Sequence, residues 1–190
     1  MDKGELRALA REARRAMTAE ERAAAMHAVA DLVLALPGVE EARTVLGYAA
    51  TAEELDPAPV LEALRRGGAR VALPRVTGPM RLTLHWVTAS DELVAGAFGI
   101  LEPAEDAPRA EAREIDLALV PGVAFDAACN RIGYGGCFYD NLLPTLRPDA
   151  LKVGLAFDAQ LVEAVPAEDH DVPLDFVVTP RAVFEAERRA

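Results

Sequence analysis

Cysteine is scarce in this chain of 190 residues: Cys129 and Cys137 are the only two, eight apart in one segment. That excludes a disulfide-stapled scaffold and fits reduced thiols in a cytoplasmic protein. Long apolar runs are also missing. Stretches such as residues 117–125 fall short of the ~20 residues a membrane-spanning helix needs. The first residues, MDKGELR, are charged rather than apolar, so neither a secretory leader nor a membrane partner is expected. Positive charge is in deficit, with 20 Lys and Arg against 31 Asp and Glu for a net charge of −11. A nucleic-acid partner is therefore not expected, because phosphate backbones call for a basic face. Any anionic ligand must be held by a few local cations. Lysine is rarer still, confined to Lys3 and Lys152.

What is present is ample apolar material, 52% hydrophobic against 27% charged residues, which excludes disorder for the bulk of the chain. A chain of this size buries roughly 70% of its unfolded surface and forms one domain by default. Leu6, Leu9, Ala10, Ala13 and Met17 recur at helical spacing over residues 3–17. Thr18 and Glu21 have capping-box form for a second helix reaching about Leu36, before Pro37-Gly38. Strands are expected at 44–50, 70–74, 82–87, 115–120, 152–157 and 176–179. Helices are expected at 57–66, after the glycine-rich segment near Leu142, and near 159–165. Residues 88–115 read as loop with at most short helices. Strands alternating with helices predict an α/β fold, a three-layer α/β/α sandwich around a mostly parallel sheet.

In such a sheet, ligands settle beyond the carboxyl ends of the strands, and the segment after residue 120 is such a place. Gly133, Gly135 and Gly136 free the backbone to aim several N–H groups at one anion, Arg131 adds a forked cation, and Asp140 beside phosphates would need a bridging Mg²⁺. A tight strand–helix turn accounts for the same glycines equally well. Neither a P-loop nor G-x-G-x-x-G is present. Lys3 and Arg7, four apart, share a helix face that could meet an anion, or could merely continue a solvated basic face through Arg11, Arg14 and Arg15. Asp171 lies in a polar run, and His170 has no second ligand at metal spacing. His85 and Trp86, on an alternating strand, read as structural.

Val120-Pro-Gly-Val-Ala-Phe-Asp126, followed by Asn130-Arg-Ile-Gly-Tyr-Gly-Gly-Cys-Phe-Tyr-Asp140, resembles the signature of the 5-formyltetrahydrofolate cyclo-ligase family. Lys3-x-x-Leu6-Arg7, Glu54-Leu-Asp56 and Phe98-Gly-Ile-Leu-Glu-Pro103 match further family motifs. So do Gly154-Leu-Ala-Phe157, Gln160, Pro166 and His170-Asp-Val172, in order along nearly the whole chain. The resemblance implies ATP- and Mg²⁺-dependent closure of 5-formyltetrahydrofolate, with or without a polyglutamate tail, to 5,10-methenyltetrahydrofolate, in a protein expected to be a monomer. It implies ATP contacts from Lys3, Arg7, Arg131, Ile132, Gly133, Tyr134, Gly135, Gly136, Cys137, Phe138 and Tyr139. Arg131 and Tyr139 would be catalytic, and Asp140 and Asp171 would hold Mg²⁺. Glu54 would hold the pterin ring, with Phe98 and residues Tyr134, Gly135, Gly136, Cys137 and Phe138 walling the folate site. Neither Lys3 nor Arg131 is expected in the core.

The chain departs from the family pattern at Cys129 and Cys137, where the family has glycines, and at Asn141, where it often has arginine. A Cβ at such positions opposes a positive φ, so a family member that binds folate or nucleotide with little turnover is the alternative. A sugar-phosphate isomerase or CoA-transferase relative would share the layout but not the need for ATP.

Overall fold

The computed structural model describes residues 1–89, 91, 93–168 and 171–187. Helix α1 (Lys3–Arg15) opens at Asp2, whose carboxylate accepts from Gly4 N and Glu5 N while Glu5 reaches back to Asp2 N. Helix α2 (Ala19–Leu34) opens on the expected Thr18–Glu21 capping box. Then follow β1 (Thr44–Leu46), α3 (Ala58–Arg66), β2 (Arg70–Gly78), β3 (Arg81–Val87), β4 (Val94–Ala95), β5 (Leu101–Glu102) and β6 (Arg109–Ala110). The remainder is β7 (Leu117–Val120), β8 (Ala124–Phe125), β9 (Arg131–Ile132), α4 (Phe138–Leu142), β10 (Leu151–Leu155), β11 (Phe176–Val178) and β12 (Val183–Glu185).

One eight-stranded sheet runs in the order β12-β11-β10-β7-β1-β2-β3-β6. Its five inner strands from β11 to β2 are parallel, and β12, β3 and β6 are antiparallel to their inner neighbours. Successive residues of each strand face opposite sides. On one face Val45, Val71, Leu117, Leu119 and Val153 pack under Val29 and Val33 of α2 and Leu61 and Leu64 of α3. On the other, Leu46, Ala72, Ala118 and Val120 pack against Leu142, Leu143 and Leu146 of α4 and the turn after it, with Phe125 and Leu174. This is the expected three-layer α/β architecture, its second helical layer made of short pieces.

Several local expectations need correction. Residues 88–115 contain β4, β5 and β6, and β6 extends the main sheet beside β3. Strands of two residues are too short to show an alternating pattern. The helix expected near 159–165 is only a single 3₁₀ turn, Asp158–Gln160. There the Gln160 side chain accepts from Phe157 N and donates to the carbonyls of Gly122 and Val123. In α1, Leu9 faces solvent and Arg14 is buried beside Leu6 and Ala10.

Candidate active site

From β1 the chain leads to β2 on one side of the sheet, and from β7 it leads to β10 on the other. The carboxyl ends of β1 and β7 therefore form the switch point where open α/β sheets bind ligands. A cavity of about 620 Å³ lies there, lined by Tyr48, Thr51 and Glu54 after β1, by Pro121 after β7, and by Arg131 and residues 133–140. Phe98, Leu82 and Glu102 complete its wall.

Arg131 reaches this cavity from β9, which pairs with β8 in a hairpin inside the segment after residue 120. Asp126 builds the hairpin turn: its carboxylate accepts from Ala128 N, Asn130 N, the Asn130 side chain and, across the fold, Val165 N. Cys129 occupies the turn at φ 62° and is fully buried, its Sγ 3.4 Å from Phe184 O. Burial pushes its thiol up to about 11. Arg131 is only 6% exposed, contrary to the expectation that it lies outside the core. Its Nη2 donates to Asp140 Oδ1, and its guanidinium carbon stands 5.7 Å from the Tyr139 ring centre. The Tyr139 hydroxyl and Arg131 Nε are both buried and lack a protein partner. Burial raises the Tyr139 phenol far above its ordinary value, with Arg131 opposing and Glu54 reinforcing the rise. At neutral pH it is a protonated donor.

The glycine-rich loop owes its course to space as much as to freedom. A Cβ on Gly133 would meet Arg131 Nη1 at 2.8 Å, and one on Gly136 would meet the Phe138 ring at 2.7 Å. Gly135 has φ +96°. Cys137, at φ 52°, takes the left-handed conformation just before α4, which spans five residues.

Arg7, Arg11 and Arg14 of α1 face this loop, whereas Arg15 is exposed and Lys3 turns to other carboxylates. Arg7 Nε donates to Gly133 O at 2.8 Å, Arg11 and Arg14 stand 5.3 and 5.8 Å from the Tyr134 ring centre, and Lys3 Nζ pairs with Asp171 at 2.7 Å and Glu168 at 2.9 Å. Burial pulls the Lys3 ammonium down, yet the two carboxylates outweigh it and the net shift is upward.

Close to Tyr134, Glu54 Oε2 accepts from Thr51 N at 2.8 Å. Tyr134 is pushed up to about 12, first by burial and then by the charge of Glu54, against the hydrogen bond from Arg14. Phe98 is 79% exposed at φ 59°, its ring edge-on to Phe138 with centres 6.1 Å apart. It is therefore a cavity rim and not core. His85 and Trp86 are structural, as expected: the imidazole sits between Thr83 Oγ1 and Ala107 O, and Arg70 stacks on the indole.

The cavity thus gathers Glu54, Phe98, Arg131, Gly133, Tyr134, Gly135, Gly136, Cys137, Phe138, Tyr139 and Asp140. Lys3, Arg7 and Asp171 stand outside its lining, and Ile132 packs into the core against Leu6 and Ala10. His170 lies outside the described residues. Among those described, no three His, Cys, Asp or Glu side chains are grouped to hold a metal. Sequence reasoning missed Tyr48, Glu102 and Arg14. Tyr48 is buried and donates to Leu55 O at 2.5 Å. Glu102 is buried, paired with Arg75, and accepts from Val76 N and Ala97 N. Glu102 sits in a quoted motif and could have been found there, whereas nothing marked Tyr48 or separated Arg14 from its arginine neighbours.

A family model described as the 5-formyltetrahydrofolate cyclo-ligase family matches residues 1–180. The 5-formyltetrahydrofolate cyclo-ligase of Escherichia coli (strain K12) is 38% identical over 181 residues, covering 92% of this chain and 98% of that protein. The enzyme of the same description from Mycolicibacterium smegmatis is 34% identical over 151 residues, covering 77% of this chain and 78% of its own. The NMR structure of Aquifex aeolicus 5,10-methenyltetrahydrofolate synthetase superposes with a TM-score of 0.85 at 33% identity, over 100% of this chain and 96% of that one.

Proposed function

The chain belongs to the 5-formyltetrahydrofolate cyclo-ligase family and is a ligase, and we propose that it closes 5-formyltetrahydrofolate to 5,10-methenyltetrahydrofolate, consuming ATP with Mg²⁺ and releasing ADP and phosphate. The observation that carries this reading is one cavity walled both by Glu54 and by Arg131 with the glycine-rich loop, so that a folate-facing carboxylate and a nucleotide-facing cation open on the same space. The reaction needs that arrangement. The formyl oxygen attacks the γ-phosphorus and displaces ADP, N10 adds to the formyl carbon and loses its proton, and the carbon–oxygen bond breaks to release phosphate. Positioning and charge neutralisation supply most of the catalysis in such a transfer.

Each residue has a part in it. Glu54 accepts from the N–H edge of the pterin ring, and Phe98 with Phe138 offers it an aromatic wall. Arg131 and the 133–139 loop take the phosphates, and the unpartnered Tyr139 hydroxyl donates to a phosphate oxygen. Mg²⁺ retains several waters and requires only one or two carboxylates besides the phosphates, which suits Asp140 on the cavity wall. Its chemistry there is to offset phosphate charge. Lys3 and Arg131 each rest on a carboxylate, Asp171 and Asp140. A phosphate at Arg131 would compete with Asp140 for that cation, and Asp140, on the cavity wall, would be the hard oxygen donor available to Mg²⁺.

The alternative, binding with little turnover, keeps its motive, since Cys129 and Cys137 both hold a Cβ at positive φ. The protein is expected to act in the cytoplasm as a monomer, on 5-formyltetrahydrofolate with or without its polyglutamate tail. The test is methenyl-product absorbance with ATP and Mg²⁺ supplied together and singly: product forms only with both. Formation without ATP would refute the reading.

A further inference from the structure

Arg14, 1% exposed, is the largest fully buried side chain among the described residues. It is not among the residues that line the cavity. Its two terminal nitrogens serve different segments. Nη1 donates to the Tyr134 hydroxyl at 3.0 Å, and Nη2 donates to Glu53 Oε2 at 3.4 Å. Tyr134 belongs to the glycine-rich loop, and Glu53 immediately precedes Glu54. Among the described residues outside these two loops, no other side chain hydrogen-bonds both. Arg7 holds only the glycine-rich loop, through Gly133 O, while Arg15 holds only the Glu53 carboxylate, at 2.9 Å. Arg22 donates to the carbonyls of Ala52 and Glu53 and to that of Arg14 itself, which fixes the helix end from which Arg14 projects.

Packing alone does not explain an arginine here. Leu6 and Ala10, on the same stripe of α1, fill their places with apolar groups. A buried cation is unfavourable unless paired, and replacing buried ion pairs by apolar side chains often leaves stability unchanged. What leucine cannot supply is a rigid planar fork whose two arms reach two separate acceptors at a fixed angle.

We infer that Arg14 is a positioning residue that holds the loop carrying Glu54 and the loop carrying Tyr134 in one fixed arrangement beside each other at the cavity wall. Each substrate then meets a loop already held in place and does not have to order it on binding, because the same guanidinium holds both loops. The catalytic consequence rests on the reaction proposed above, but the mechanical link between the loops does not.

Hydrogen exchange of the ligand-free protein and steady-state kinetics test this together. In Arg14→Gln, exchange at residues 51–54 and 133–136 rises at least tenfold while β7 keeps its protection, and KM for 5-formyltetrahydrofolate rises about tenfold with kcat within threefold. Tyr134→Phe and Glu53→Gln, which retain the arginine, each loosen only their own loop. The Arg14→Gln/Tyr134→Phe double variant has a KM no higher than that of Arg14→Gln. Exchange rising equally through the sheet, or KM effects that multiply in the double variant, would overturn the inference. If Arg14→Gln does not fold, unchanged exchange in both Tyr134→Phe and Glu53→Gln overturns it equally. A wild-type protein that forms no methenyl product would defeat the proposed reaction, while the exchange pattern would still decide the link.

Discussion

Arg131 Nη2 grips Asp140 Oδ1 at the cavity wall, so the cation proposed to take the nucleotide phosphates and the carboxylate proposed for Mg²⁺ neutralise each other. Lys3 and Asp171 repeat the arrangement at the end of α1. Neither pair therefore leaves an uncompensated charge.

Because Arg131 is buried and paired, Arg131→Ala lowers stability as well as activity. Leaving Asp140 partly buried without its cation costs on the order of 2–3 kcal/mol, about 4–12 °C in melting temperature for a chain of this size. ATP affinity falls at least a hundredfold. Arg131→Lys restores part of the stability but less of the affinity, since a point charge lacks the fork. Thermal melts paired with ATP titrations check both, and a variant with unchanged melting temperature would contradict the burial argument.

Cys137 has φ 52°, a conformation that strains a residue carrying a Cβ, and the strain belongs to the fold of the loop. Cys137→Gly relieves about 1 kcal/mol, offset in part by the greater freedom of glycine in the unfolded chain. The melting temperature rises by about 1–3 °C, and ATP affinity stays within twofold. Cys137→Val, β-branched at positive φ, lowers the melting temperature. Tenfold tighter ATP binding in Cys137→Gly would show that the loop rearranges on binding.

Cys129 links stability to alkaline pH. Its thiol is raised from 9.0 to about 11 in the folded protein, first by burial, so the folded state holds the proton that the unfolded chain loses. Its contribution to stability is complete below pH 9 and is lost as pH rises through 9 to 11. Denaturant midpoints at pH 8, 9.5 and 10.5 should fall along this series, and less steeply in Cys129→Ala. Equal slopes in the two proteins would contradict the assignment.

Phe98 is exposed and touches Phe138 only edge-on, so Phe98→Ala leaves melting within about 2 °C. Aromatic pairs contribute about 0.5–1.5 kcal/mol, which raises KM for the folate by roughly threefold to tenfold. A fall in melting temperature with constant KM would place Phe98 in the core after all.

The sheet and its helices were legible because β7 is apolar on both faces and α2 carries its cap in plain sequence. The small strands β4, β5, β6, β8 and β9 were not, since two residues cannot display a period. Residues 133–140 and Glu54 were legible from motifs, and the structure brings them to one cavity. The orientation of α1 was not: Lys3, Arg7, Arg11, Arg14 and Arg15 look alike in sequence, and only the position of the glycine-rich loop decides which are buried. Arg131 was expected outside the core because a lone arginine gives no sign that Asp140 and Tyr139 will fold over it.

The claim that folate and nucleotide meet in a single cavity is tested most directly by labelling the formyl oxygen of 5-formyltetrahydrofolate with ¹⁸O and analysing the released phosphate. Attack of that oxygen on the γ-phosphorus predicts one labelled oxygen in each phosphate for every methenyl product formed. Label released into water, with unlabelled phosphate, would contradict the account.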